Sequence, residues 1–93
     1  MKRGNSLSFR IIWHKDALDD LKQLDKPIRR RIFEKVENYL AQDPASIGKP
    51  LKENLAGMFR YRYGDYRVIY VMDLSDQTIT ILEVGHRRAV YSR

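Results

Sequence analysis

The stretch MFRYRYGDYRVIYVMD, residues 58–73, decides how this chain folds. Two runs rich in aromatic and β-branched residues flank Gly64-Asp65, and glycine supplies the positive φ that a two-residue hairpin turn requires. That turn sets a register in which Tyr63 pairs with Tyr66, Arg62 with Arg67, Tyr61 with Val68, Arg60 with Ile69 and Phe59 with Tyr70. Side chains alternate along a strand, so Phe59, Tyr61, Tyr63, Tyr66, Val68 and Tyr70 share one face, and Arg60, Arg62 and Arg67 share the other. The aromatic face reads as the core side. The second face sets two like charges directly opposite each other, with Cβ atoms ~5 Å apart, which destabilises a sheet unless an anion offsets the repulsion.

Toward the C-terminus, LSDQ separates this hairpin from TITILEVG, a third antiparallel strand. With the turn centred on Leu74 to Asp76, Glu83 faces Arg67, Ile81 faces Ile69 and Ile79 faces Val71. Continuing the alternation through VGHRRAVYSR, residues 84–93, brings Arg87 and Tyr91 onto the arginine face, while His86 and Arg88 point the other way. A bulge at Gly85 would reverse this.

Toward the N-terminus, LSFRIIW, residues 7–13, has period-two apolar spacing and reads as a strand. In KDALDDLKQL the spacing becomes helical, with Ala17, Leu18, Leu21 and Leu24 apolar and Asp16, Asp19 and Asp20 early, where the helix dipole favours anions. His14, just before this helix, reads as structural. Asp25 is then placed to cap a second helix, Pro27 fits its first turn, and Ile28, Ile32, Val36 and Leu40 form its apolar stripe. Arg29, Arg30 and Arg31 leave that stripe for a solvated face. Residues 41–57 hold two prolines and two glycines and read as a loop returning to the sheet. The expected fold is α+β: an N-terminal strand, a helical hairpin, and a three-stranded antiparallel meander with the helices on one face.

At 93 residues, 43% hydrophobic and 32% charged, the composition is that of a single globular domain spanning 1–93. The absence of cysteine excludes disulfides and thiolate metal sites, two histidines alone cannot hold a zinc, and no cofactor motif is present. No run is long enough to span a membrane, so a cytoplasmic protein is expected. The net charge of +6 favours anionic partners, nucleic acid first, although many small proteins are basic for solubility alone.

RNA carries its own nucleophile, the 2′-OH, so its cleavage needs alignment, a base, an acid and cations around the phosphorane, but no metal. Arginine suits the cationic role because its planar, permanently charged guanidinium binds phosphate oxygens bidentately. It is a poor base for the same reason. The candidates for that role are, in order, Tyr91 with a phenol acidified by cationic neighbours, Glu83 if it releases Arg67, and His86 if Gly85 turns it inward. Each has a plainer reading: Glu83 as the ion-pair partner of Arg67, His86 as a hydrogen-bonded strand end, Tyr91 as a packing anchor.

LAGMFRYRYGDYRVIYVMD followed by VGHRRAVY resembles the RelE/ParE superfamily of toxin-antitoxin toxins, and ALDDLKQLDKPIRRRI fits that family's helical hairpin. The likeness covers nearly the whole chain and is closer to RelE-like ribonucleases than to ParE-like inhibitors of DNA gyrase. It implies a RelE-like, microbial-ribonuclease-type fold and an mRNA interferase that enters the ribosomal A site, cuts the exposed codon by 2′-OH attack and is held inactive by a cognate antitoxin. The resemblance carries the family's basic positions onto Arg60, Arg62, Arg67 and Arg87, and its C-terminal tyrosine onto Tyr91. Well-known ribosome-dependent members have lysine where this chain has Arg60 and Arg62. Arginine there keeps the charge but weakens any base role, so Tyr91 or another group takes the proton, or activity is low. Two other readings stand beside this one: a non-enzymatic ParE-like gyrase inhibitor, and a plain basic nucleic-acid-binding module.

Overall fold

The computed structural model describes residues 8–52 and 57–86. The strands are β1 (Arg10–Trp13), β2 (Lys49–Pro50), β3 (Met58–Tyr63), β4 (Tyr66–Asp73) and β5 (Thr78–His86); the helices are α1 (Lys15–Lys22), α2 (Lys26–Asn38) and α3 (Pro44–Ile47). The strands form one sheet in the order β1-β5-β4-β3-β2. β1 runs parallel to β5, and all other neighbours are antiparallel. The fold is therefore α+β, as expected, and β3, β4 and β5 are the meander read from the sequence.

The helices follow from local chemistry. His14 is the N-cap of α1, its Nδ1 accepting from the backbone N–H of Asp16 at 3.0 Å, so its role is structural. One turn apart, Ala17 and Leu21 bury the inner face of α1, whereas Leu18, expected inside, is exposed. Asp25 holds the N-cap position of α2, and Pro27 lies in its first turn. The Asp25 side chain makes no capping bond; its carbonyl accepts the first helical bond from Arg29. Ile32, Val36 and Leu40 are fully buried, with Ile28 packed at the margin.

These helices cover one face of the sheet. Their apolar residues join Tyr61, Val68, Tyr70, Ile79, Ile81 and Val84 in a single core. Phe59 stacks on Tyr70, its partner in the register, with ring centroids 5.6 Å apart. At the far edge Trp13 stacks on Phe33 and donates its Nε1–H to Glu37, tying β1 to α2.

Three features depart from the sequence reading. The first strand is shorter, beginning at Arg10, because Phe9 donates its backbone N–H to Ala41 rather than to a strand. The segment expected to be loop holds a 3-10 turn (Leu40–Gln42), α3 and β2. Buried Tyr70 fastens it by donating its hydroxyl to the Pro44 carbonyl at 2.6 Å, and the backbone passes so close at Gly48 that a Cβ there would meet that hydroxyl. Finally, the β4–β5 register differs. The connecting loop is Leu74–Gln77, closed by Asp73, which accepts from Ser75 and from the Asp76 N–H, with Gln77 at φ 52°. That loop sets Met72 opposite Ile79, and a bulge between Ile69 and Tyr70 shifts the pairing again. Glu83 therefore faces Ile69 rather than Arg67, Ile81 faces Tyr70 rather than Ile69, and Ile79 faces Met72 rather than Val71.

Candidate nucleic-acid interface

The β3–β4 hairpin has the register that Gly64-Asp65 implies, from Tyr63 opposite Tyr66 to Phe59 opposite Tyr70, with Gly64 at φ 58°. Arg60, Arg62 and Arg67 consequently project from the face opposite the helices, and Arg62 lies directly across from Arg67. Their exposures form a gradient. Arg62 is exposed and Arg60 half-buried, but Arg67 retains only 6% of its surface. A guanidinium cannot shed its proton to escape burial, so Arg67 holds a fixed positive charge below the surface, where screening by water is weaker and attraction for an anion stronger.

Beyond the bulge the β4–β5 pairing is displaced by two residues from the simple reading. Two is even, so Glu83 still shares the face of Arg67 although its direct partner is Ile69. Gly85 lies opposite Arg67. His86 is turned the other way, its ring 5.8 Å from that of its partner Tyr66 in an edge-on contact, so Gly85 does not swing it toward the arginines. Arg87 and Tyr91 lie outside the described residues.

β5 is anchored where it leads toward these positions. β1 pairs with β5 only as far as Ile81, and beyond it Asp20 of α1 accepts the Val84 N–H at 3.0 Å, occupying the place of a strand neighbour. Sequence reading gave Asp20 only a helix-dipole role.

Two side chains beside the arginines escaped the sequence reading. Lys49 of β2 lies opposite Arg60, and Tyr39, at the end of α2, has its ring centroid 6.2 Å from that of Tyr61. The signal for the first was Lys49-Pro50: a residue before proline is biased toward extended backbone, and lysine and proline both suit a sheet edge. The phenols of Tyr61 and Tyr70 are held protonated rather than poised as bases. Burial, followed by the neighbouring phenols of Tyr39 and Tyr63, pushes Tyr61 above the ordinary tyrosine range, and burial raises Tyr70 further.

The family model described as the ParE toxin of type II toxin-antitoxin system, parDE, matches residues 11–91. Toxin RelG of Mycobacterium tuberculosis is 39% identical over 77 residues, which cover 83% of this chain and 88% of that protein. The crystal structure of the toxin-antitoxin complex RelBE2 from the same organism superposes with a TM-score of 0.84 at 34% identity, covering 87% of this chain and 93% of the other. The archaeal RelE-RelB complex from Pyrococcus horikoshii does so with a TM-score of 0.67 at 30% identity, covering 86% and 96%. Matched over nearly its whole length by the family model and by relatives bearing RelE-type names, the chain belongs to the RelE/ParE family of toxins of type II toxin-antitoxin systems.

Proposed function

We propose that this toxin is an endoribonuclease that enters the ribosomal A site and cuts the message exposed there. The observation that carries the reading is the arginine face: Arg60, Arg62 and Arg67 converge on one side of the hairpin, with Arg67 sunk to 6% exposure. In the reaction the 2′-oxygen of one nucleotide attacks the adjacent phosphorus and the bond to the 5′-oxygen breaks, leaving a 2′,3′-cyclic phosphate and a 5′-hydroxyl. Negative charge accumulates on the phosphorane oxygens, and pre-placed guanidinium groups stabilise that charge more than they stabilise the ground state. The family resemblance assigns Arg87 as a further cation and Tyr91 as the group that stacks on a base or exchanges a proton with the leaving oxygen. Tyr91 is the first candidate for the base and Glu83 the second. His86, directed toward Tyr66, ranks last.

A surface of arginines stabilises charge but does not by itself hold a flexible strand in line for attack. The ribosome supplies that alignment, and orientation of reacting groups is worth on the order of 7 kcal/mol or more in favourable intramolecular cases, enough to offset a weak base. Similar chains crystallise as toxin-antitoxin complexes. The net charge of +6 suits a cognate antitoxin with an acidic segment that folds as it covers the arginines. Among the described residues no helix is long and apolar enough to cross a membrane; the ribosome as target is what makes the cytoplasm the proposed site of action.

The test compares purified toxin on naked messenger RNA with the same message in a translating complex, mapping cut ends while assaying gyrase supercoiling in parallel. Cuts confined to the A-site codon of the translating sample are expected. Intact RNA in both samples with gyrase inhibited would establish the ParE-like activity instead.

A further inference from the structure

Where β2 ends, the outer edge of the sheet opens. β2 pairs only with Phe59 and Arg60, so among the described residues no strand lies beside Tyr61, Arg62 and Tyr63 on that side. Alternation sends Arg62 off one face of this bare edge, the face that Arg60 shares in the paired stretch, and Tyr61 and Tyr63 off the other. Two open clefts flank it. One, of about 220 Å³, is lined by Lys49, Arg60, Arg62, Tyr61, Ile47 and Tyr39. The next, of about 320 Å³, is lined by Tyr39, Tyr63, Lys35, Asn38, Arg31 and Glu34. Tyr39 is the wall they share. It is 48% exposed, an unusual position for a large ring, and Lys35 Nζ sits 5.2 Å from its centroid. The only acid in the two linings, Glu34, lies 4.0 Å from Arg30 one helical turn away.

Cations interleaved with accessible rings along an open groove are what a single nucleic-acid strand requires: ammonium and guanidinium groups for successive phosphates, aromatic faces for bases of any sequence. An acidic protein segment would use the cations but gain less from the rings. We infer that the β3 edge is a second RNA subsite, in which Lys49 holds a backbone phosphate beside Arg60 and Tyr39 stacks a base, leading the strand from the arginine face round the edge toward α2. The inference rests on the RNA-cleaving reading and adds to it a track for nucleotides flanking the cut. Lys49 and Tyr39 are positioning residues: they grip the strand away from the reacting phosphate.

The experiment measures fluorescence anisotropy of a labelled, fully 2′-O-methylated single-stranded RNA of about 10 nucleotides, within the span such grooves accommodate and impossible to cut by 2′-OH attack. Tyr39→Ala is expected to weaken binding about tenfold, toward the lower end of what one stacked base contributes, while Tyr39→Phe, which keeps the ring, stays near wild type. Lys49→Gln is expected to weaken binding and to lower the slope of log affinity against log salt by ~0.7, the value of one phosphate contact on a single strand; Lys49→Arg restores it. Thermal melting confirms that each variant is folded. Affinities of folded Tyr39→Ala and Lys49→Gln equal to wild type, as for a groove that takes a protein segment, would overturn the inference, as would a wild-type protein that does not bind the probe at low salt. The cleavage reading is decided separately, by cuts in the translating complex, so this subsite can fail while that reading stands.

Discussion

Gly48→Ala probes the fastening that brings Lys49 beside Arg60. Gly48 has φ −86° and ψ 176°, a backbone conformation open to any residue, so the cost of the change lies in space alone. A Cβ at Gly48 would overlap the Tyr70 hydroxyl oxygen and stand 2.8 Å from the ring carbon that bears it and 3.0 Å from the Arg60 carbonyl. Tyr70 cannot yield cheaply, being fully buried and stacked on Phe59. Either its buried hydroxyl gives up the Pro44 carbonyl and is left without that partner, at ~1–3 kcal/mol, or β2 moves outward and the core repacks, at a similar ~1–3 kcal/mol. The expected loss is therefore about 1–3 kcal/mol, a substantial part of the stability of a domain this size. Tyr70→Phe alone costs ~0.5–1.5 kcal/mol by removing that bond, since the Pro44 carbonyl keeps the Gly48 N–H at 3.3 Å. Because it also removes the closest clashing atom, Gly48→Ala costs less in that background, by a coupling of about 1 kcal/mol or more. Urea unfolding of the four proteins completes the cycle. A Gly48→Ala midpoint matching wild type, or strict additivity of the two changes, would show that Gly48 does not pack against Tyr70 in this way.

Asp20→Ala, by stranding the Val84 N–H, is expected to destabilise the chain by about 1–3 kcal/mol and to raise hydrogen exchange at Val84; unchanged protection there would remove Asp20 as the anchor of β5. Arg67→Ala and Arg87→Ala are each expected to abolish growth arrest on induced expression while the proteins remain soluble and melt cooperatively, with the Arg67 change slowing cleavage by about 10²–10³-fold; folded variants that stay fully toxic would exclude these residues from the site. The Ser75 hydroxyl, then the Asp76 N–H, hold the Asp73 carboxyl below the ordinary aspartate range, so its contribution is fully present above that range and lost as pH falls through the lowered value. Asp73→Asn should flatten the stability curve in that acid window, and an unaltered curve would count against the turn interaction. Acidic peptide corresponding to the antitoxin's toxin-binding segment is expected to bind less tightly as salt rises, and calorimetry showing affinity indifferent to salt would argue against charge neutralisation.

What could be read from the sequence was whatever a short-range rule determines. Gly64-Asp65 sets the pairing of Arg62 with Arg67 because a two-residue turn leaves few alternatives, and the period-two faces follow from it. The β4–β5 register was not legible in the same way. Its loop is closed by the Asp73 side chain and a positive φ at Gln77, and a bulge then compensates the one-residue difference, so the face of Glu83 was readable while its partner was not. Lys49, Tyr39 and Asp20 depend on contacts between segments far apart in the chain: Pro44 with Tyr70, α2 with β3, and α1 with the end of β5. No local pattern encodes those. The burial of Arg67 was hidden for a similar reason, since alternation gives the direction of a side chain but not what surrounds it.

Whether the arginine face serves attack by the RNA's own 2′-oxygen within the ribosome is decided by one substitution in the substrate. Translating complexes are prepared with an A-site codon that is either all-ribose or carries a single 2′-deoxy nucleotide on the 5′ side of the mapped cut. Cleavage of the all-ribose codon to a 2′,3′-cyclic phosphate and a 5′-hydroxyl, with the deoxy message intact at that bond, is the predicted result. Cleavage of the deoxy message at the same bond, or an uncut all-ribose codon, would contradict it.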